Sequence, residues 1–234
     1  LIVSANLINE CITYGTKIIF TSSMAVYGDQ TPPFTEDKRP QPIDPYGIAK
    51  YAVECDLKLA HEQFGLRYNI VRPHNVLGIY QNIWDRYRNV IGIFIRKALN
   101  GQPILIYGDG EQTRAFSDIK YYMEPFDKLL TGHDSETFNI GADKHFTLNE
   151  VAMTVQTIAA KYGYHVDIEH GEPRHEAKHA YCDHTKAKTV LNFEDNTNLA
   201  ELIESMFVWA MKQPNRKVKD MEYEVTKDIY DYWK

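Results

Sequence analysis

Tyr46 and Lys50 stand four residues apart, with Ser23 upstream of them. In a helix, that spacing brings two side chains to one face, about one turn apart. A lysine ammonium beside a phenol favours the phenolate, because a nearby positive charge lowers the pKa of a group that ionises to an anion. Such a phenolate can take a proton from a sugar or alcohol hydroxyl. A serine at the end of a buried strand can hold the same hydroxyl by hydrogen bonding. Tyr-x-x-x-Lys alone is a common pattern, and a snorkelling lysine on an ordinary helix face explains it too. Its surroundings decide between the two readings. Asp44 can cap the helix, and Pro45 occupies its first position, where a missing N–H costs nothing.

The elements that must position these groups follow an α/β rhythm. Residues 1–14 carry Ile2, Leu7, Ile8, Cys11 and Ile12 on a helical stripe that Gly15 ends. Residues 17–23 form a short apolar run suited to a buried parallel strand. The capped helix spans 45–64, and a second apolar strand spans 66–71, closed by Arg72-Pro73. The proline-rich stretch 31–42 reads as a loop at the carboxyl end of the first strand, where open α/β sheets bind ligands. Further on, 74–88 reads as an aromatic-rich loop, 90–99 as a helix, 103–107 as a strand and 108–110 as a turn. A short strand is expected at 138–141. Thr147 and Glu150 form a capping box that opens a helix to about Tyr162. A strand at 166–170 and a helix from Asn198 to near Pro214 complete the pattern. The charged, tyrosine-rich tail 215–234 predicts no element.

With 44% hydrophobic and 25% charged residues in 234, the composition is that of an ordinary globular protein of one large or two small domains. A net charge of −6 argues against a nucleic-acid backbone or an anionic membrane as partner. Cys11, Cys55 and Cys182 are scattered and odd in number, which implies no disulfide framework and suits a reducing cytoplasm. No apolar run reaches the roughly 18 residues of a membrane span. The chain starts at Leu1 inside a helical pattern, which reads as an N-terminal truncation. One further constellation is His170, His175, His179 and His184 with Cys182. His175 and His179 have helical spacing, but no helix is expected there, so a metal site is the lesser reading.

Six motifs agree in order and spacing with one family: 20–28 (FTSSMAVYG), 44–50 (DPYGIAK), 72–78 (RPHNVLG), 107–114 (YGDGEQTR), 138–141 (FNIG) and 178–182 (KHAYC). From about Ile18 to about Phe193 the sequence resembles an extended short-chain dehydrogenase/reductase of the NAD-dependent epimerase/dehydratase family, most like UDP-glucose 4-epimerases. The resemblance implies a Rossmann-like doubly wound parallel sheet, its N-terminal part missing, with a smaller mixed α/β substrate domain. Residues 1–77 would be the C-terminal half of the NAD-binding domain. Residues 78–214 would mainly bind nucleotide-sugar, with segments returning to the sheet, and 215–234 would be a tail. By the same resemblance Ser23, Tyr46 and Lys50 are catalytic. Tyr46, Lys50 and Pro73 lie against the cofactor NAD. Ser23, Asn75, Asn89, Leu105, Tyr107, Arg114, Arg174 and Tyr181 hold a UDP-hexose, with the two arginines on the diphosphate. A bulky Tyr181 near the sugar 2-substituent would favour glucose and galactose over their N-acetyl forms. The family uses no metal.

The choice of reaction rests on Met24 and Ala25. Related dehydratases carry an acidic pair there to expel water, and decarboxylases use a nearby Glu; neither Met nor Ala can move a proton. Two departures accompany the resemblance. No Gly-x-x-Gly-x-x-Gly occurs in the chain, so the pyrophosphate-binding helix start is not in it. Residues 117–123 replace an aromatic and an Asp-Asp pair, which alters the expected hinge near Arg114. The competing readings are a degenerate or truncated member that binds nucleotide-sugar or a partner chain without catalysis, or a related dehydratase. Relatives form homodimers through a bundle that includes the 45–64 helix, where Val53, Leu57 and Ala60 are at helical spacing; the same residues suit the chain's own core equally.

Overall fold

The computed structural model describes residues 1–84, 89–173, 178–214 and 216. Helix α1 (Ile2–Tyr14) stops at Gly15, which takes the left-handed φ of 64°. Strand β1 (Ile18–Thr21) follows, then a 3₁₀ turn at Met24–Tyr27. Helix α2 (Pro45–Phe64) starts where its cap predicts: Asp44 accepts a hydrogen bond from the Gly47 N–H at 2.6 Å. Strand β2 is Tyr68–Pro73, later than the apolar run at 66–71 suggests. Gly65 and Leu66 are spent on closing α2, their N–H groups bonded to the His61 and Ala60 carbonyls.

The chain continues through β3 (Val76–Leu77), α3 (Val90–Leu99), β4 (Ile104–Tyr107), β5 (Thr113–Ala115), β6 (Ser117–Asp118) and α4 (Met123–Thr131). Then come β7 (Glu136–Ile140), β8 (His145–Thr147), α5 (Leu148–Lys161), β9 (Ile168–Gly171), β10 (His179–Ala180), α6 (Thr185–Leu191) and α7 (Leu199–Met211). The capping box at Thr147 and Glu150 is formed, and Asn198 caps α7.

Among the described residues, β1, β2 and β7 form a three-stranded parallel sheet with β2 in the middle. Helices cover both its faces. On one face, α1 and α2 bury Ile8, Cys11, Val53, Leu57 and Ala60 against Ile18 and Ile70. On the other, α4 and α6 bury Leu129, Ala187 and Leu191 against Val71, Phe138 and Ile140. This is the doubly wound arrangement, and β7 is the segment that returns to the sheet from far along the chain. Val53, Leu57 and Ala60 are consumed by the chain's own core, so they are not the seam of a homodimer. Ile2 and Leu7 depart from the expected stripe: they are exposed, because α1 meets its neighbours through Ile8, Cys11 and Ile12.

A separate core joins α3, α5 and α7 to β4, with Ile91, Phe94, Ile104, Val155, Ile203 and Phe207 at its centre. The segment 117–123, where the sequence departs from its relatives, is anchored through Ser117 and Tyr122, with Ile119, Lys120 and Met123 exposed. Ser117 is buried and its Oγ accepts from the Ala142 N–H at 2.7 Å, while Asp118 caps the 3₁₀ turn Ile119–Tyr122. No helix among the described residues is long and apolar enough to cross a membrane.

Candidate active site

Thr21 ends β1 and Pro73 ends β2, and a cleft of about 740 Å³ opens beside them. Ser23, Tyr46, Lys50, Pro73, Asn75, Asn89 and Arg114 all line it. The carboxyl ends of parallel strands are where such sheets bind ligands. Ser23 is the N-cap of the 3₁₀ turn, with its Oγ accepting from the Ala25 N–H at 3.2 Å. Tyr46 lies in the first turn of α2 and is 56% exposed at the cleft. Lys50, one turn on, donates from Nζ to the Thr21 carbonyl at 2.6 Å. Its ammonium stands 5.8 Å from the Tyr46 ring centroid and 5.0 Å from that of Phe20. Burial holds the Lys50 pKa below the ordinary lysine value.

Gly47 sets the spacing between Ser23 and Tyr46. A Cβ there would sit 2.6 Å from the Ala25 carbonyl oxygen, so only glycine lets α2 come this close to the turn that Ser23 caps. Met24 and Ala25 face the same cleft. Among its described lining residues the one carboxylate is Asp44, and that group is held by the Gly47 N–H.

The remaining candidates are placed less simply. Asn75 has a positive φ of 40° and donates from Nδ2 to the Ala115 carbonyl at 2.9 Å. Asn89 caps α3 through the Ile91 N–H. Arg114 donates to the Thr113 and Lys178 carbonyls. Tyr107 lines a second cleft of about 840 Å³, together with Gln112, His170, Pro173 and Lys178. Leu105 lines neither cleft; Ile104 and Ile106 point into the core, and alternation puts Leu105 on the opposite, half-buried face beside Gly171. Tyr181 also lines neither. Alternation along the chain gives the first cleft Ala180, and the Tyr181 ring stacks on His145 with centroids 5.2 Å apart. A role for Tyr181 beside the sugar is therefore not supported by its position. Arg174 and His175 lie outside the described residues.

The histidine–cysteine constellation is dispersed. His170 bonds to the Gly108 carbonyl and His179 to Thr113. Cys182 and His184 instead meet His74, which the motif reading passed over.

Beneath the cleft lies a buried network that sequence reasoning missed. Arg72 donates from Nε and Nη2 to the two oxygens of Glu54, at 3.0 and 2.6 Å, and from Nη1 to the Tyr27 hydroxyl at 2.7 Å. Ser22 donates to Glu54 at 2.5 Å, and Tyr27 donates to Asn139 at 2.8 Å. Glu54 is 0% and Arg72 1% exposed. Burial opposes the charge on Arg72, but its bonds to Glu54 hold its pKa above the ordinary value. The one available signal was a carboxylate next to Val53 on the core-facing stripe of α2. The network ties α2 to β2 and fixes Ser22, the neighbour of Ser23.

Residues 1–141 match the model of the "NAD dependent epimerase/dehydratase family". The chain is 34% identical over 203 residues to a putative UDP-glucose 4-epimerase of Methanocaldococcus jannaschii, covering 86% of this chain and 64% of that protein. It is 31% identical over 218 residues to a UDP-N-acetyl-alpha-D-glucosaminuronate decarboxylase of Bacillus cytotoxicus, covering 87% of this chain and 66% of that protein. The solved UDP-glucose 4-epimerase of Thermotoga maritima, in complex with UDP-glucose, superposes with a TM-score of 0.80 at 31% identity, covering 89% of this chain and 68% of that one. The chain thus spans about two thirds of the length of these relatives. The family match and these likenesses agree with the parallel sheet: the chain belongs to the NAD-dependent epimerase/dehydratase family.

Proposed function

We propose that this chain is the greater part of a NAD-dependent nucleotide-sugar 4-epimerase acting on a UDP-hexose, with Tyr46 as its base. The observation that carries the reading is the cleft itself. It assembles Ser23, Tyr46 and Lys50, and its one described carboxylate, Asp44, is occupied as a helix cap. In this reading Ser23 Oγ holds the sugar O4 hydroxyl, and Tyr46 removes its proton and later returns it. The Lys50 ammonium favours the Tyr46 phenolate. NAD, when bound, supplies the redox chemistry, taking the C4 hydride and giving it back. The exposed Tyr46 hydroxyl and Lys50 at the carboxyl ends of β1 and β2 fit the nicotinamide-ribose end of that cofactor. The adjoining clefts, bordered by Arg114 and Lys178, would hold the diphosphate and base, with Tyr107 on the base side. Residues 1–77 would form the nicotinamide side and 78–214 mainly the sugar-nucleotide side.

Relatives with decarboxylase names make that reaction the main rival. Met24 and Ala25 in the cleft offer no acid, which favours return of the hydride over elimination. With NAD present, UDP-glucose deuterated at C4 is expected to give UDP-galactose that keeps the label, and UDP-glucuronate to release no carbon dioxide. Label lost to solvent, or carbon dioxide release, would overturn the epimerase reading. A second reading is nucleotide-sugar binding without turnover. The NAD released on denaturing the purified chain separates the two, near one per chain for the enzyme and none for the binder.

A further inference from the structure

His74, Cys182 and His184 are buried together, with their ligand atoms all within 4.8 Å of one another. His74 follows the central strand β2, and the other two precede α6. The Nε2 atoms of the two imidazoles face each other at 3.0 Å. The Nδ1 of His184 lies 2.9 Å from the Asp143 carboxylate, which accepts its N–H, and in the neutral ring Nε2 then carries the lone pair. His74 Nδ1 is buried against the Ala115 backbone, which favours a proton there. With that proton on Nδ1, the two Nε2 lone pairs oppose each other at 3.0 Å.

A cation between the rings takes up both Nε2 lone pairs, and the Cys182 sulfur supplies a third donor. We infer that His74, Cys182 and His184 form a site for a divalent ion of the zinc class. Two imidazoles and a thiolate are the donor set that zinc prefers over the hard, oxygen-seeking cations. Zn–N bonds of about 2.0–2.1 Å at a tetrahedral angle place the nitrogens roughly 3.3 Å apart, close to the separation seen. Binding forms the Zn–S bond and releases the thiol proton of Cys182 to solvent. The ion and the thiolate together leave one positive charge, which Asp143 offsets from behind His184. Asp143 is itself held by Lys188 at 2.5 Å. Carboxylate–histidine–zinc chains of this kind fix the ring that binds the metal.

The surroundings are built to hold these positions. A Cβ on Gly141 would lie 2.1 Å from His74 Nε2, so glycine leaves the ring its place. The segment around Cys182 is clamped by Phe34, which donates to the Tyr181 carbonyl at 3.1 Å and accepts from the Asp183 N–H at 2.8 Å. The ion would therefore clasp the end of β2 to the entry of α6, under the floor of the first cleft, with its fourth position left to water. This inference does not depend on the reaction proposed above.

The test is Co²⁺ titration of the chelator-stripped chain. One equivalent is expected to give the visible bands of four-coordinate cobalt and a thiolate-to-cobalt charge-transfer band, both erased by Zn²⁺. Cys182→Ser should lose the charge-transfer band, and Asp143→Asn should bind about 10–100-fold more weakly. His179→Ala, at an exposed position, should change nothing. X-ray absorption on the zinc-loaded wild-type chain serves if a variant fails to fold, with one sulfur and two imidazole nitrogens expected in the first shell. No cobalt band, a charge-transfer band that survives Cys182→Ser, or a shell without sulfur overturns the site.

Discussion

Gly47 bears on catalysis without touching any substrate. Its missing Cβ lets the first turn of α2 lie against the Ala25 carbonyl, and that contact sets Tyr46 relative to Ser23. Gly47→Ala must push the two apart. Misplacing a reacting group by about 1 Å costs roughly 10²-fold in rate. We therefore expect turnover to fall by about that factor, with a stability loss of ~1–3 kcal/mol from overpacking, read by steady-state kinetics and urea unfolding. Unchanged turnover in a folded Gly47→Ala chain would remove Gly47 from the account. The residue scale also shows where the motif reading stopped short. Ser23, Tyr46 and Lys50 were legible because the motif's spacing coincides with a helical turn and its cap is local. His74 and Glu54 were not, because their partners lie far along the chain: His184 in one case, Arg72 and Ser22 in the other.

At the scale of elements, the Glu54–Arg72 pair carries the most charge into the interior. Both groups are fully buried, and each satisfies the other through a bidentate contact. Glu54→Gln leaves the guanidinium buried and uncompensated. Breaking such a pair from one side costs about 3–5 kcal/mol, so the variant should unfold at markedly lower urea. A loss below about 1 kcal/mol would mean that water or rearrangement relieves the arginine. Helices α2, α5 and α7 were readable from sequence because each begins with a side chain that caps it, Asp44, Thr147 and Asn198, whereas α3 was read from its apolar run alone and its cap Asn89 was not. The strands β3, β5, β6, β8 and β10 were not. Each has only two or three residues and exists through a distant partner, as when Thr113 pairs with both His179 and Thr147. Alternation along such a strand and into the residue after it then decides which side chains reach a cleft. That is why Ala180 does and Tyr181 does not.

Over the whole molecule, the β1-β2-β7 region and the α3-α5-α7 region both reach the first cleft, the one through Thr21 and Pro73 and the other through Asn89 at the start of α3. The strand that closes the sheet, β7, comes from beyond β4 and β5, so the two regions are interleaved in sequence. This interleaving explains how a motif at 20–50 and an arginine at 114 come to face the same space. Catalysis by Tyr46 requires that convergence, and conversion of UDP-galactose to UDP-glucose with NAD supplied tests it most directly. The wild-type chain is expected to convert the sugar. Tyr46→Phe should turn over about 10²–10⁴-fold more slowly while still binding the UDP-hexose. Wild-type rates from a folded Tyr46→Phe chain, or no conversion by a wild-type chain that holds NAD, would contradict it.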